Sequence, residues 1–315
     1  MLAILSMTGP RAQPPADAAD HPLRAALARG DGVRARSALA LPFLLAADDQ
    51  SLIEEAVVAQ VRGVLADLAR QLTEARSRSR PIAVAAQEAM LARLLLEGEL
   101  RAHCHALALE WRLARKLESE LALDPVLSPL LQMWVAEADA ATGSLAMAAL
   151  AAQARFAQGQ RRMQLPLAEL PAELFHAALA AAQEVVPDAA PDTVTQADAR
   201  LRGDYEEAAG RLALLARLAL EAGSQTPKTL AVEDAGVALW LSALAARSGQ
   251  SRDRTACAAA DPHLGRLLLT LRAAGATPPE AERQALRIQP DAEVPRGMAD
   301  VGTREAAQWL ADGEP

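Results

Sequence analysis

From Pro22 onward, apolar residues recur at three- and four-residue steps along nearly the whole chain. Ile53, Val57, Val61, Val64, Leu68 and Leu72 form one such stripe, with Glu55, Arg62, Asp67 and Arg70 mostly off it. A stripe of this spacing is one face of an α-helix. Ser51 and Glu54 form a capping box at its start, and Pro81, after Arg76-Ser-Arg-Ser-Arg80, closes it. A second stripe, Leu96, Leu100, Cys104, Leu107, Trp111, Ala114, Leu117 and Leu121, predicts helix over 82–121, softened at Gly98. Unbroken, that stretch approaches 60 Å at about 1.5 Å per residue, so it is kinked or is two stacked helices. Later stripes run through Leu127 to Val135, Leu174 to Ala178, Leu212 to Leu218, Val237 to Leu244 and Leu264 to Leu271, and a last element spans 303–310.

Punctuation divides these helices. Gly30 reads as the first helix terminator and Thr142-Gly143-Ser144 as a break. Asp124-Pro125, Asp204-Tyr-Glu-Glu207 and Asp261-Pro262 read as helix starts, and Thr277 with Glu280 as a second capping box. Pro166 and Pro171 bracket a short extended connector. The Pro- and Asp-rich stretch 187–200 reads as a linker between helical regions 21–186 and 201–315, and residues 1–20 as a flexible tail. No segment alternates at period two. The expected fold is all-α: roughly a dozen helices in stacked antiparallel hairpins, either a HEAT-like array or a multi-helix bundle. No repeat period of 33 to 47 residues is visible.

Composition sharpens this. Ala (76) and Leu (50) supply two fifths of the 315 residues, and aromatics are 3%. That excludes most all-β folds, which fill pleated surfaces with aromatic and β-branched residues. A hydrophobic share of 51% can bury a core. The net charge of −8 disfavours general attraction to a phosphate backbone, leaving only a local basic patch for such contact. Two distant cysteines, Cys104 and Cys257, fit a reduced compartment. The first residues lack the basic region of an export signal, and no apolar run is long enough for a transmembrane helix. The cytoplasm is the expected location.

Residues 155–176, RFAQGQRRMQLPLAELPAELFH, and 239–271, with the Asp-Pro turn of DPHLGRLLLTL, carry a resemblance. Over about 155–290 the chain resembles the bacterial domain-of-unknown-function 2336 family. The resemblance implies helical, HEAT-like architecture and no functional residue.

Several constellations suggest chemistry. His103-Cys104-His105 contains metal-ligating types, but residues two apart on a helix point to nearly opposite sides and cannot close on one ion. Glu99 and His103 share a face at four-residue spacing. Glu173 and His176 have the spacing of di-iron helices, but those sites need a second copy and two more carboxylates. Cys257, Asp261 and His263 lie close together, yet Asp261-Pro262 is explained as a helix start. No phosphate loop, nucleophile elbow or metalloprotease motif occurs. Two basic clusters remain: Arg76, Arg78 and Arg80 in an expected loop, and Arg155, Arg161 and Arg162 beside the Pro-bracketed connector. The expectation is a non-enzymatic scaffold or regulatory adaptor, without cofactor or metal, whose Arg155, Arg161 and Arg162 contact a protein partner. Two alternatives stand beside it. One is a nucleic-acid-linked regulator using an Arg-rich face; the other is an enzyme whose site is assembled from distant side chains.

Overall fold

The computed structural model describes residues 21–46, 55–76, 84–137, 139–185 and 191–312. Among these residues the protein is all-α, with no strand. The helices are α1 (Pro22–Ala46), α2 (Glu55–Arg76), α3 (Val84–Leu94), α4 (Gly98–Leu121), α5 (Pro129–Glu137), α6 (Ala140–Arg161), α7 (Ala172–Val185) and α8 (Pro191–Gly203). They continue as α9 (Arg211–Leu220), α10 (Thr226–Thr229), α11 (Val232–Ser248), α12 (Arg252–Ala260), α13 (Gly265–Ala273), α14 (Pro278–Ile288) and α15 (Thr303–Asp312). Short 3-10 turns fill several connections. No single described helix is long and apolar enough to cross a membrane.

Local signals explain many boundaries. The long stretch breaks at residues 95–97, as expected near Gly98, into α3 and α4. Thr277 caps α14: its backbone N–H and its hydroxyl both donate to Glu280, at 2.8 and 2.6 Å. The connector before α7 is extended with one 3-10 turn, and Leu165, Leu167 and Leu170 are buried from it. Asp67 and Gln71 of α2 hold it in place. Asp67 accepts from the Leu165 amide at 3.1 Å, and Gln71 bonds the Leu165 carbonyl at 2.7 Å and the Leu167 amide at 3.0 Å.

Other boundaries differ from expectation. Helix α6 runs straight through Thr142-Gly143-Ser144, because Asp139 three residues earlier already caps it, accepting from the Ala141 and Thr142 amides. Gly30 lies inside α1 rather than at its end. A side chain there would meet the Asp261 carboxylate at 2.0 Å, so the glycine serves close approach. Asp204 to Glu207 leads into a 3-10 turn, Glu207–Ala209, rather than an α-helix; α9 begins at Arg211. Glu207 accepts instead from the Ala172 amide at the start of α7, at 3.1 Å, and Tyr205 stacks on Phe175 with centroids 4.1 Å apart. Asp124-Pro125 and Asp261-Pro262 make turns that end shortly before α5 and α13 rather than their first turns. The Ser51–Glu54 box, the 1–20 tail, Arg78 and Arg80 lie outside the described residues.

Much of the stretch expected as a linker is helix: α8 covers 191–203 and buries Ala197 and Asp198. The core does not divide there either. One cluster gathers α1, α5, α9 and α11 to α15 with parts of α4 and α6; Trp240 and Leu267 are fully buried in it. The second gathers α2, α3, α7 and the remaining faces of α4 and α6 around Leu68, Leu100 and Phe175. Helices far apart in sequence pack together, α1 on α13 and α4 on α12, so the first described helix sits among the C-terminal ones.

The α1–α13 crossing is close. A Cβ on Gly265 would lie 2.4 Å from the Leu27 amide nitrogen and 2.5 Å from the Ala26 carbonyl carbon. Only glycine lets the two backbones meet. Arg266, the next residue, then donates to both oxygens of Asp31 at 2.9 Å.

Candidate functional site

Ionisable side chains collect in the interior, chiefly where α4 meets α9 and α12. Glu110 of α4 is fully buried. Arg211, at the start of α9, donates to its two oxygens at 2.8 and 3.1 Å. Arg252, at the start of α12, donates to both at 2.7 and 2.8 Å. Arg211 also reaches Gln153 at 3.1 Å and lies 3.6 Å over the Phe156 ring. Arg252 reaches the Ser242 hydroxyl at 3.0 Å. Burial alone would raise the Glu110 pKa; the two guanidiniums outweigh it and hold the carboxyl far below the usual carboxylate range. A carboxylate locked between two arginines is a helix clamp, not a proton donor or base at neutral pH.

The same seam decides the His103-Cys104-His105 motif. His103 is buried and turns its Nδ1 to Asp253 of α12, at 2.9 and 3.1 Å from the two carboxylate oxygens. Its expected neighbour Glu99 is not its partner. Cys104 faces the α2 side of the core, where burial and then Asp253 push its thiol up to about 12. Burial also lowers the pKa of His105. Among the described residues no group of His, Cys, Asp and Glu is arranged to hold a metal ion.

The other candidates are also separated by geometry. Cys257 is half-buried, and burial followed by Asp253 pushes its thiol up to about 11, away from the thiolate a nucleophile needs. Asp261 spends one oxygen on the His263 amide at 2.9 Å. His176 lies 5.4 Å from Phe175, ring to ring. Arg76, expected in a solvated loop, is buried in the last turn of α2. It pairs there with Asp198 of α8, whose second oxygen accepts from Gln183 at 2.7 Å. This pair was invisible in sequence because its members stand 122 residues apart.

Other cations close helix ends. Lys116 donates to the Ile288 carbonyl at 2.7 Å and Arg247 to the Ala274 carbonyl at 2.9 Å. The last carbonyls of a helix lack partners within it, and these side chains supply them.

The second arginine cluster is different. Arg155 and Arg161, on the last two turns of α6, and Arg162, just beyond its end, are all exposed. Arg155 has Glu169 within 3.9 Å. Arg161 lies 5.8 Å from the ring of Trp111 on α4, and Arg115 lies 5.9 Å from the same ring. Trp111 is half-exposed, whereas Trp134, Trp240 and Trp309 are buried. Arg115 is paired with Glu118.

The turn that presents these arginines is held from below. Gln60 of α2 donates to the carbonyl and side-chain oxygens of Gln160 at 2.8 and 2.9 Å. Met163, next in line, adopts a left-handed backbone with φ 54°, and Gly63 of α2 leaves room for its side chain. Met163 is itself exposed. Sequence reading found the three arginines but not Trp111, which fell on the core stripe of α4. No protein family, curated protein or solved structure matches the chain.

Proposed function

We propose that the protein is a non-enzymatic helical scaffold or regulatory adaptor that binds another protein through the exposed end of α6. One observation carries the reading: an arginine rim, Arg155, Arg161 and Arg162, stands exposed on a chain of net charge −8. The interior supports it, since the buried charges Glu110, Arg211, Arg76 and Asp198, with the partly buried Arg252, are engaged in joining helices. The free thiols of Cys104 and Cys257 fit action in the reducing cytoplasm.

A photo-crosslinking residue at exposed Gln158, between the arginines, tests the reading in cells. The expected result is one protein cross-linked in stoichiometric amount and lost when all three arginines become glutamate. The reading fails if the yield does not exceed that of the same probe at exposed Leu220 on α9.

A further inference from the structure

We infer that the surface formed by Trp111, Arg161, Arg162 and Met163 is a docking site for an acidic peptide segment of the partner protein; this rests on the adaptor reading above. Among the described residues, Arg115 and Arg155 have carboxylate neighbours, Glu118 and Glu169, but no carboxylate is paired with Arg161 or Arg162. Both are exposed, Arg161 as the last residue of α6 and Arg162 as the residue after it. On a chain of net charge −8, these cations meet an occupant of opposite sign. Guanidinium groups match carboxylates with two parallel hydrogen bonds.

The apolar half of the site lies beside them. Trp111 offers the half-exposed edge of a ring already flanked by Arg161 and Arg115. Met163, next to Arg162 in sequence, is 40% exposed although its stem packs on Gly63, so an adaptable apolar side chain follows the two cations in the same turn. Arginine, tryptophan and methionine together are the residue types that interface cores favour. Gln60, bonded to Gln160, and the constrained Met163 backbone hold the turn ready, which lowers the ordering cost of binding.

A peptide fits better than a nucleic acid. Two guanidiniums with no carboxylate partner among the described residues and one ring make a short site, whereas single strands are held by a basic track with several stacking rings.

Trp111 is the half-exposed tryptophan of the four, so quenching by iodide reads this surface directly. The titrant is a synthetic eight-residue peptide alternating Glu with Leu. Controls are a Lys/Leu peptide and oligo-dT of equal charge. The expected result is saturable protection of Trp111 by the acidic peptide, weakened by salt and about tenfold or more by Arg161→Glu with Arg162→Glu. Arg217→Glu, at an exposed position of α9, leaves it unchanged. The inference is overturned if the acidic peptide gives no protection, if the Arg161/Arg162 variant binds as well, or if oligo-dT binds more tightly. Should a stoichiometric partner still cross-link at Gln158 in that case, the adaptor reading survives and only the acidic-peptide assignment falls.

Discussion

Arg252 grips Glu110 with two parallel hydrogen bonds, at 2.7 and 2.8 Å, across 142 residues of chain. With Arg211 on the other side, the carboxylate ties α4, α9 and α12 together where water does not reach. Removing one partner of such a group leaves uncompensated buried charge, at a cost of about 3–5 kcal/mol. Glu110→Ala is therefore expected to lower the free energy of unfolding by about that amount, measured by urea denaturation at neutral pH. A loss below about 1 kcal/mol would mean that the two arginines find water or other acceptors in the variant.

The same carboxylate sets an acid limit. Its folded pKa is depressed below its ordinary value of 4.5, so the unfolded state takes up the proton first. The stabilisation is fully present above pH 4.5 and is lost as pH falls toward the folded pKa. Unfolding free energy should fall with pH below this point in the native protein. In Glu110→Gln the slope should be shallower by about one proton, from urea curves taken between neutral pH and the acid limit.

Asp198 makes a separable prediction. Among the described side chains of α8, Ala197 and Asp198 are buried and Leu201 packs on the core, and the Arg76–Asp198 pair with Gln183 ties the helix to α2 and α7. Asp198→Ala strands the Arg76 guanidinium, and the cheapest relief is release of α8. Trypsin should then cut first at Arg200 and Arg202, while the core around Trp240 stays protected. Simultaneous loss of the whole pattern of protection would show that α8 does not open on its own.

These pairs mark the boundary of what the sequence makes legible. The Val237, Trp240, Leu241 and Leu244 stripe, the Thr277 capping box and the softening at Gly98 are local signals, and each element formed where they placed it. Periodicity and caps act within a few residues, so they are readable from a few residues. Arg76 in an Arg-Ser repeat looked solvated because burial of a charge depends on a partner, and Asp198 lies in another helix. Gly30 looked like a terminator because a glycine that ends a helix and one that lets Asp261 approach are the same letter. The candidate site was half legible for the same reason: Arg155, Arg161 and Arg162 stand out as charge, while Trp111 keeps the spacing of a core residue.

Two glycines separate backbone contact from backbone freedom. Gly265→Ala drives a methyl group into the Ala26–Leu27 backbone, and nothing flexible there can yield. The expected loss is at least the 1–3 kcal/mol of overpacking, seen as a lower Tm. Gly203→Ala, at the end of α8, meets nothing within 4 Å. It should stabilise by about 0.4–1 kcal/mol through the unfolded chain. Equal effects at the two positions would refute the close crossing of α1 and α13.

The thiols define an alkaline limit of opposite sign. Burial raises the folded pKa of Cys104 to about 12 and that of Cys257 to about 11, against an ordinary value of 9.0. Below pH 9.0 both thiols are neutral in either state. As pH rises beyond that, the unfolded chain loses these protons first, so stability should decline until the folded pKa values are reached. The chain has one tyrosine and only two lysines, Lys116 and Lys228, so few other groups titrate in this window. Urea curves between pH 8 and pH 11 should show the decline in the native protein and a flatter profile in the Cys104→Ala, Cys257→Ala double variant. Alkylation by iodoacetamide near neutral pH should track unfolding for Cys104, since its sulfur is buried as well as protonated. Rapid modification of Cys104 in the folded protein would show that α4 opens away from α2 far more often than its packing around Leu68 and Leu100 allows.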